Sequence, residues 1–180
     1  MEKVHLKLGF SSKFTVDCHG DGRRRSGGLC LLWRSSVDIR ISSFSLNHID
    51  AVISEGLPHR NWRLTGVYGY PNDSDKHKTW QRLTTLFHSC SLPWMCLGDF
   101  NEILYNTENK GYPFTWSNGR CEEDNVQERL DRVFAIESWL LLFPYVAVEH
   151  LQCYTSDHCA ISIYFDDICF PKPRGRKKIF

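Results

Sequence analysis

Short blocks of apolar residues, separated by turn formers, run along most of this chain. Gly27 to Trp33 is a glycine pair followed by an apolar strand. Val37 to Phe44 alternates apolar and polar residues with the two-residue period of a half-buried strand. Ala51 to Ser54 and Trp62 to Tyr68 read as further strands, the first of them short. Pro71-Asn72-Asp73-Ser74-Asp75 is a turn that also resembles a helix start. Behind it, Thr79 to His88 puts Trp80, Leu83, Leu86 and Phe87 at helical spacing, which predicts an amphipathic helix ended by Pro93. Trp94-Met95-Cys96-Leu97 then reads as a buried strand, and it delivers Gly98-Asp99-Phe100-Asn101 at its exit.

The second half continues in the same style. Phe114-Thr115-Trp116 favours a strand, with a Ser117-Asn118-Gly119 turn behind it and a returning strand over Arg129 to Phe134. Ala135 to Leu142 predicts a short helix stopped by Pro144, and Val146 to Tyr154 and Ala160 to Phe165 predict strands. Helices alternating with strand pairs indicate an α/β sandwich rather than a helical bundle. There is no internal repeat or low-complexity segment. Residues 1–167 read as one domain, and 168–180, with basic Pro171 to Phe180, as a disordered tail.

Composition narrows this picture only a little. The 180 residues suffice for one domain with a real core, and 42% hydrophobic with 24% charged content is that of a globular protein. A formal net charge of +1 gives the molecule no strong overall field to gather nucleic acid. Positive charge is nonetheless clustered at Arg23-Arg24-Arg25 and at Arg174-Gly175-Arg176-Lys177-Lys178. Both clusters read as solvated segments, with phosphate contact as the alternative; the second is also compatible with a nuclear address. The eight cysteines form no C-x-x-C pair, and Met1 to Phe10 carries no secretory signal. They read as reduced intracellular thiols, with Cys30, Cys96 and Cys159 serving as small core residues and no zinc site. No apolar run approaches the roughly 20 residues of a membrane span.

Two short motifs carry candidate chemistry. Asp99 and Asn101 leave a buried strand together, and on an extended chain side chains two apart share a face. Ser156-Asp157-His158 precedes the strand Ala160 to Phe165. Each motif alone has a plainer reading: Asp and Asn as turn formers, and His as a hydrogen-bonded structural residue. Together, at strand ends, a carboxylate, an amide and an imidazole suggest phosphoryl chemistry. Asp99 and Asp157 offer the oxygen ligands that magnesium prefers, and histidine can share a proton with a phosphate near neutral pH.

The order of motifs along the chain then matches a family. Gly27-Gly28-Leu29, Thr65-Gly66-Val67-Tyr68-Gly69-Tyr70-Pro71 and Gly98-Asp99-Phe100-Asn101-Glu102 are followed by Phe114-Thr115-Trp116-Ser117-Asn118, Arg129-Leu130-Asp131-Arg132 and Ser156-Asp157-His158. In this order they resemble the endonuclease/exonuclease/phosphatase superfamily, and among its members the plant proteins derived from non-LTR retrotransposon endonucleases. The resemblance implies a two-sheet α/β sandwich like that of deoxyribonuclease I, in incomplete form. It implies magnesium, or manganese in its place, and a nucleic-acid substrate, DNA ahead of RNA. By resemblance, Asp99 orients the attacking water, Asn101 positions water and phosphate, and His158 stabilises or protonates the phosphate. Asp131 orients His158, Asp99 and Asp157 hold the metal, and Tyr68 and Asn72 contact phosphate. Trp116 is expected chiefly as a core residue.

The match departs from the family twice. A metal-binding glutamate in a Glu-Thr-Lys-like strand end is expected upstream of Lys7 to Phe14, and no such triplet occurs. The segment Glu102 to Pro113 is also short, where the family usually has a helix and a strand. That shortening predicts exposed apolar surface on one side of a sheet, and a missing first strand an unprotected edge. The expected activity is endonuclease-like phosphodiester hydrolysis with a weakened metal site. The alternatives are a catalytically inactive remnant that binds nucleic acid, and a phosphatase of the same fold.

Overall fold

The computed structural model describes residues 4–18, 20, 27–54, 61–103, 114–120, 122–151 and 155–164. In chain order they form α1 (Val4–Lys7), β1 (Ser12–Val16), β2 (Leu29–Trp33), β3 (Asp38–Ser45), β4 (His48–Ser54), β5 (Trp62–Tyr68) and α2 (Lys76–Ser89). These are followed by β6 (Trp94–Asp99), β7 (Trp116–Ser117), β8 (Gln127–Glu128), β9 (Asp131–Ala135), α3 (Glu137–Leu142), β10 (Ala147–Leu151) and β11 (Ala160–Tyr164). The arginine cluster near residue 24 and the basic tail lie outside the described residues.

The central element is a five-stranded mixed sheet in the order β3-β4-β5-β6-β9. Its strands are antiparallel neighbours except β5 and β6, which run parallel and are joined through α2. A parallel pair needs a crossover of this kind, which explains why the helix falls between them. One sheet face packs on α2, where Leu83 and Leu86 meet Val67, Trp94, Cys96 and Phe100. The other face carries Ile53, Trp62 and Met95, packed with Trp139 and Phe143 and bordered by Leu97, Val133 and Ile163. Ile163 belongs to β11, so the β10–β11 pair lies over this face, and β2 approaches β4 and β5. The result is a two-sheet α/β sandwich with α2 on the outer face of the central sheet. Its second layer is described as separate pairs, β1–β2 and β10–β11, beside the small β7–β8 ladder.

Burial explains where the sequence reading needs correction. β4 is longer than Ala51 to Ser54, because buried His48 and Asp50 belong to the strand although their polarity interrupts the apolar pattern. Asp50 is held by Arg63 Nε at 2.7 Å and by the Thr65 hydroxyl at 2.6 Å. His48 lies between the Ser43 and Ser45 hydroxyls at 3.0 and 2.7 Å. These bonds offset much of the cost of burial, although Asp50 Oδ2 has no hydrogen-bond partner. Among the expected core cysteines, Cys96 is buried and Cys159 half-buried. Cys30 is exposed instead, the one residue of β2 open to solvent while the other four are half-buried. All five described cysteines are free thiols.

On the α2 side, Phe87 and Phe134 remain exposed and line an apolar groove with Trp80, Leu83, Trp94 and Cys96. The chain leaving Asn101 passes this side, where Glu102 accepts a hydrogen bond from Trp80 Nε1. No helix among the described residues is long and apolar enough to cross a membrane.

Candidate active site

Strand register creates the site. Asp99, the last residue of β6, stands opposite Tyr68 of β5 on one side and Asp131 of β9 on the other. Three candidate side chains therefore form one row across three neighbouring strands and share a sheet face. Two carboxylates directly opposed across a ladder repel each other, so this row carries an electrostatic cost that something nearby has to offset.

Part of the offset is local. Beyond Asp99 the strand stops, and Asn101 takes a positive φ of 51°, a conformation that asparagine tolerates better than most residues. Its backbone N–H donates to Asp99 Oδ1 at 2.8 Å, and its side-chain Nδ2 donates to Gly69 O at 2.9 Å. Asp99 and Asn101 thus meet through a tight turn, not through the strand alternation expected from sequence. The backbone packs so closely that a Cβ on Gly69 would stand 2.1 Å from Phe100 O. Gly98, at φ 144°, has no room either, since its Cβ would fall 2.0 Å from Val67 O. Both glycines let β5 and the end of β6 approach.

His158 supplies the positive partner. Its Nδ1 lies 2.8 Å from Asp131 Oδ2, so Asp131 pairs with the imidazole. Asp157, just before it, is exposed, and its Oδ2 accepts a hydrogen bond from Trp116 Nε1 at 3.2 Å. Trp116 also forms an isolated bridge with His158. It borders the site and is not the core residue the sequence suggested, because β7 is a two-residue strand that leaves its ring half-exposed.

Tyr68 is half-buried in β5, with its backbone locked to Asn47 by two hydrogen bonds of 2.9 and 2.8 Å. Asn72 is placed differently. It is an exposed turn residue whose carbonyl accepts the Asp75 and Lys76 amides at 2.9 and 3.2 Å, so its contacts build the entry to α2.

The charges respond to this arrangement. Burial raises the Asp99 pKa above the ordinary carboxylate value. The charge of Asp131 adds to that rise, while the Asn101 N–H and the charge of His158 oppose it. For His158, burial disfavours the cation. The Asp131 hydrogen bond and the charges of Asp131, Asp99 and Asp157 outweigh it, so the imidazole pKa is raised. Three carboxylates around one imidazole leave a surplus of negative charge that a hard cation would relieve. Among the described residues no three His, Cys, Asp or Glu side chains form a metal-holding group. Carboxylate oxygens of this kind suit a hard divalent cation, which Asp99 and Asp157 would contact.

Sequence reasoning passed over three residues here. Thr115 is fully buried, and its hydroxyl receives the Leu130 and Asp131 amides at 3.0 and 2.9 Å. Gly69 provides the close approach described above. His150, on β10, feels the charges of Arg129 and Asp131; burial above all, and Arg129 with it, lowers its pKa. The only sequence signals were a threonine between two aromatics and a glycine between two tyrosines.

A mixed-sheet α/β sandwich with Asp, Asn and an Asp-paired His gathered at the strand ends has the architecture of the deoxyribonuclease I-like fold. Residues 3–158 match the model of the endonuclease/exonuclease/phosphatase family, and the chain belongs to that family. Its members are hydrolases of nuclease, phosphodiesterase or phosphatase type and generally use divalent metal ions. Solved structures agree on the fold. The endonuclease domain of TRAS1, a telomere-specific non-LTR retrotransposon, matches at a TM-score of 0.61 and 13% identity, over 85% of this chain and 80% of that one. TDP2 of D. rerio, complexed with a single-strand DNA product, matches at 0.54 and 16%, over 87% and 78%. The human nocturnin catalytic domain matches at 0.51 and 13%, over 91% and 76%. No curated protein sequence matches the chain significantly.

Proposed function

We propose that this chain hydrolyses phosphodiester bonds of nucleic acid, DNA in the first instance, in an endonuclease-like reaction assisted by magnesium or manganese. The observation that carries this reading is the Asp131–His158 pair at 2.8 Å, set beside the Asp99–Asn101 turn at the ends of adjoining strands. In-line attack on a phosphodiester needs an oriented water, neutralised non-bridging oxygens and help for the leaving oxygen. Asp99, with its raised pKa, accepts a hydrogen bond from the attacking water and orients it. Asn101 is held by its own turn and directs its amide at water and phosphate. His158 keeps its proton at higher pH than an ordinary histidine, and Asp131 fixes its ring so that Nε2 presents that proton to the phosphate. Tyr68 borders the same row and would contact a phosphate oxygen. When bound, the metal supplies charge neutralisation. The retrotransposon endonuclease and the DNA-complexed TDP2 among the structural neighbours support nucleic acid over a small phosphate ester.

A second reading is a non-catalytic domain that keeps the fold and binds nucleic acid. It is favoured by the donor set, since among the described residues no three His, Cys, Asp or Glu side chains are placed so that together they could hold a metal ion. Nicking of supercoiled plasmid with added magnesium separates the two. The wild type should nick, and Asp99→Ala and His158→Ala should each lose about 10²-fold or more. Nicking that survives both changes removes this site from the reaction. A folded wild type that never nicks, yet retards DNA on a gel, establishes the second reading.

A further inference from the structure

The Asp131–His158 pair is held by a residue that belongs to neither motif. Thr115 has no solvent exposure and reaches two other chain segments at once. Its Oγ1 accepts the amides of Leu130 at 3.0 Å and Asp131 at 2.9 Å, and its own N–H donates to Glu128 O at 2.9 Å. Its carbonyl accepts the Cys159 amide at 2.7 Å, one residue past His158. Two consecutive N–H groups turned onto one oxygen form a cradle of the kind that usually takes a carbonyl or an anion. Here the hydroxyl fills it with both lone pairs. The Leu130 carbonyl is held from the opposite side by the Phe100 amide at 2.9 Å, so the Leu130–Asp131 peptide is gripped on both edges.

From this geometry we propose that Thr115 is the positioning residue of the site. Its hydroxyl fixes the backbone of Asp131 while its carbonyl fixes the backbone beside His158, and the distance between carboxylate and imidazole follows from both. A buried hydroxyl that merely packed would need one partner, and its loss would act on stability alone. Removing this one strands two buried donors, and the first place to relax is the peptide that carries Asp131. The neighbours reinforce the role: the Ser117 amide donates to Asp157 O at 3.0 Å, so the segment Thr115–Ser117 braces Asp157, His158 and Cys159 in sequence.

Thr115→Val keeps shape and removes the oxygen, and Thr115→Ser keeps the oxygen and removes the methyl group. Amide hydrogen exchange is read on both, with plasmid nicking at varied substrate concentration. In Thr115→Val, exchange at Leu130 and Asp131 should rise by about 10-fold or more, while Leu64 and Met95 in the central ladder stay as in the wild type. The same variant should lose about 10-fold or more in kcat with KM within about 2-fold, and Thr115→Ser should recover most of both. Should valine at this buried position prevent folding, Thr115→Ala takes its place with the same expectation. Unchanged exchange at Leu130 and Asp131 in the folded hydroxyl-free variant overturns the proposal, as does a Thr115→Ser variant no better than Thr115→Val. Only the kinetic arm rests on the phosphodiesterase reading: if the wild type never nicks, that reading fails and the exchange result still decides the role of Thr115.

Discussion

Substituting Gly69 by alanine, at a position given no chemical role of its own, should disable the site. An added Cβ would stand 2.1 Å from Phe100 O and 2.4 Å from Phe100 C, whereas real Cβ contacts do not fall below 3.0 Å. The two backbones must therefore separate by about 0.9 Å, the gap between those limits. Gly69 N–H donates to Asp99 O at 2.7 Å, and Asn101 Nδ2 donates to Gly69 O at 2.9 Å. A displacement of that size carries both bonds past the roughly 3.2 Å at which an N–H···O bond weakens. Overpacking alone costs about 1–3 kcal/mol. For a chain of this size that lowers Tm by roughly 2–12 °C. Misplacing a reacting group by about 1 Å costs on the order of 10²-fold in rate. Gly66→Ala is the internal control, on the same strand, where the new Cβ meets Ile49 O at an ordinary 3.9 Å. Thermal unfolding and plasmid nicking on both variants test the argument. A Gly69→Ala protein that melts and nicks like Gly66→Ala would refute it.

Three further outcomes follow from the same structure. The His158 pKa is raised in the fold, so the stability from its pairing with Asp131 is present in full below the unfolded value of about 6.5 and is lost as pH rises through the folded one. The Tm difference between wild type and His158→Gln should therefore be larger at acidic than at alkaline pH, and an equal difference at both contradicts the pairing. Asp99, whose pKa is also raised, holds its charge in the fold at a cost, so its favourable contribution exists only below the unfolded value of about 3.9 and is lost through the raised one. Asp99→Asn should melt higher than wild type in metal-free buffer at neutral pH, with nicking lost; a lower Tm would show that the ionised form is favoured after all. Arg63→Met leaves Asp50 charged and buried and frees the Leu86 and Ser89 oxygens of α2, and should cost about 3–5 kcal/mol by denaturant unfolding. The double change with Asp50→Asn should be milder, and a double variant worse than the single one would remove buried charge as the cause.

Much of the central sheet could be read from periodicity, because each of its strands has to satisfy one constraint at a time. β3 exposes one face and alternates, while the apolar start of β6 is buried and runs continuously. β4 was read short because it satisfies two constraints: it is buried along nearly its whole length, yet it carries His48 and Asp50. Ser43 and Ser45 lie close by across the β3–β4 hairpin, but the partners of Asp50, Arg63 and Thr65, stand on β5, 13 and 15 positions away. Cys30 failed for a related reason, since among the described strands β2 pairs only with β1 and leaves that one position to solvent. An apolar run does not reveal how many faces will be covered.

The site divides along a different line. Asp99, Asn101, Asp157 and His158 could be named as candidates from their chemistry at strand ends, and Asp131 from the order of motifs on which the family resemblance rests. The residues that set the distances between them could not. Asn101 is tied to Gly69 across 32 positions, and Asp131 to Thr115 across 16, through a backbone carbonyl and a hydroxyl that any strand can carry. The sequence names reactive groups by type, whereas their geometry depends on pairings that only register creates. Asp99 faces Asp131 because β6 and β9 align at that rung, and a slip of one residue would turn the Asp131 carboxylate to the opposite face of the sheet. The Thr115 hydroxyl and the Gly69 approach both act at that rung, one on each side of it. What holds that rung in place is therefore a pair of small, uncharged residues with no reactive group of their own, and substitutions there test the site as directly as removal of its carboxylates.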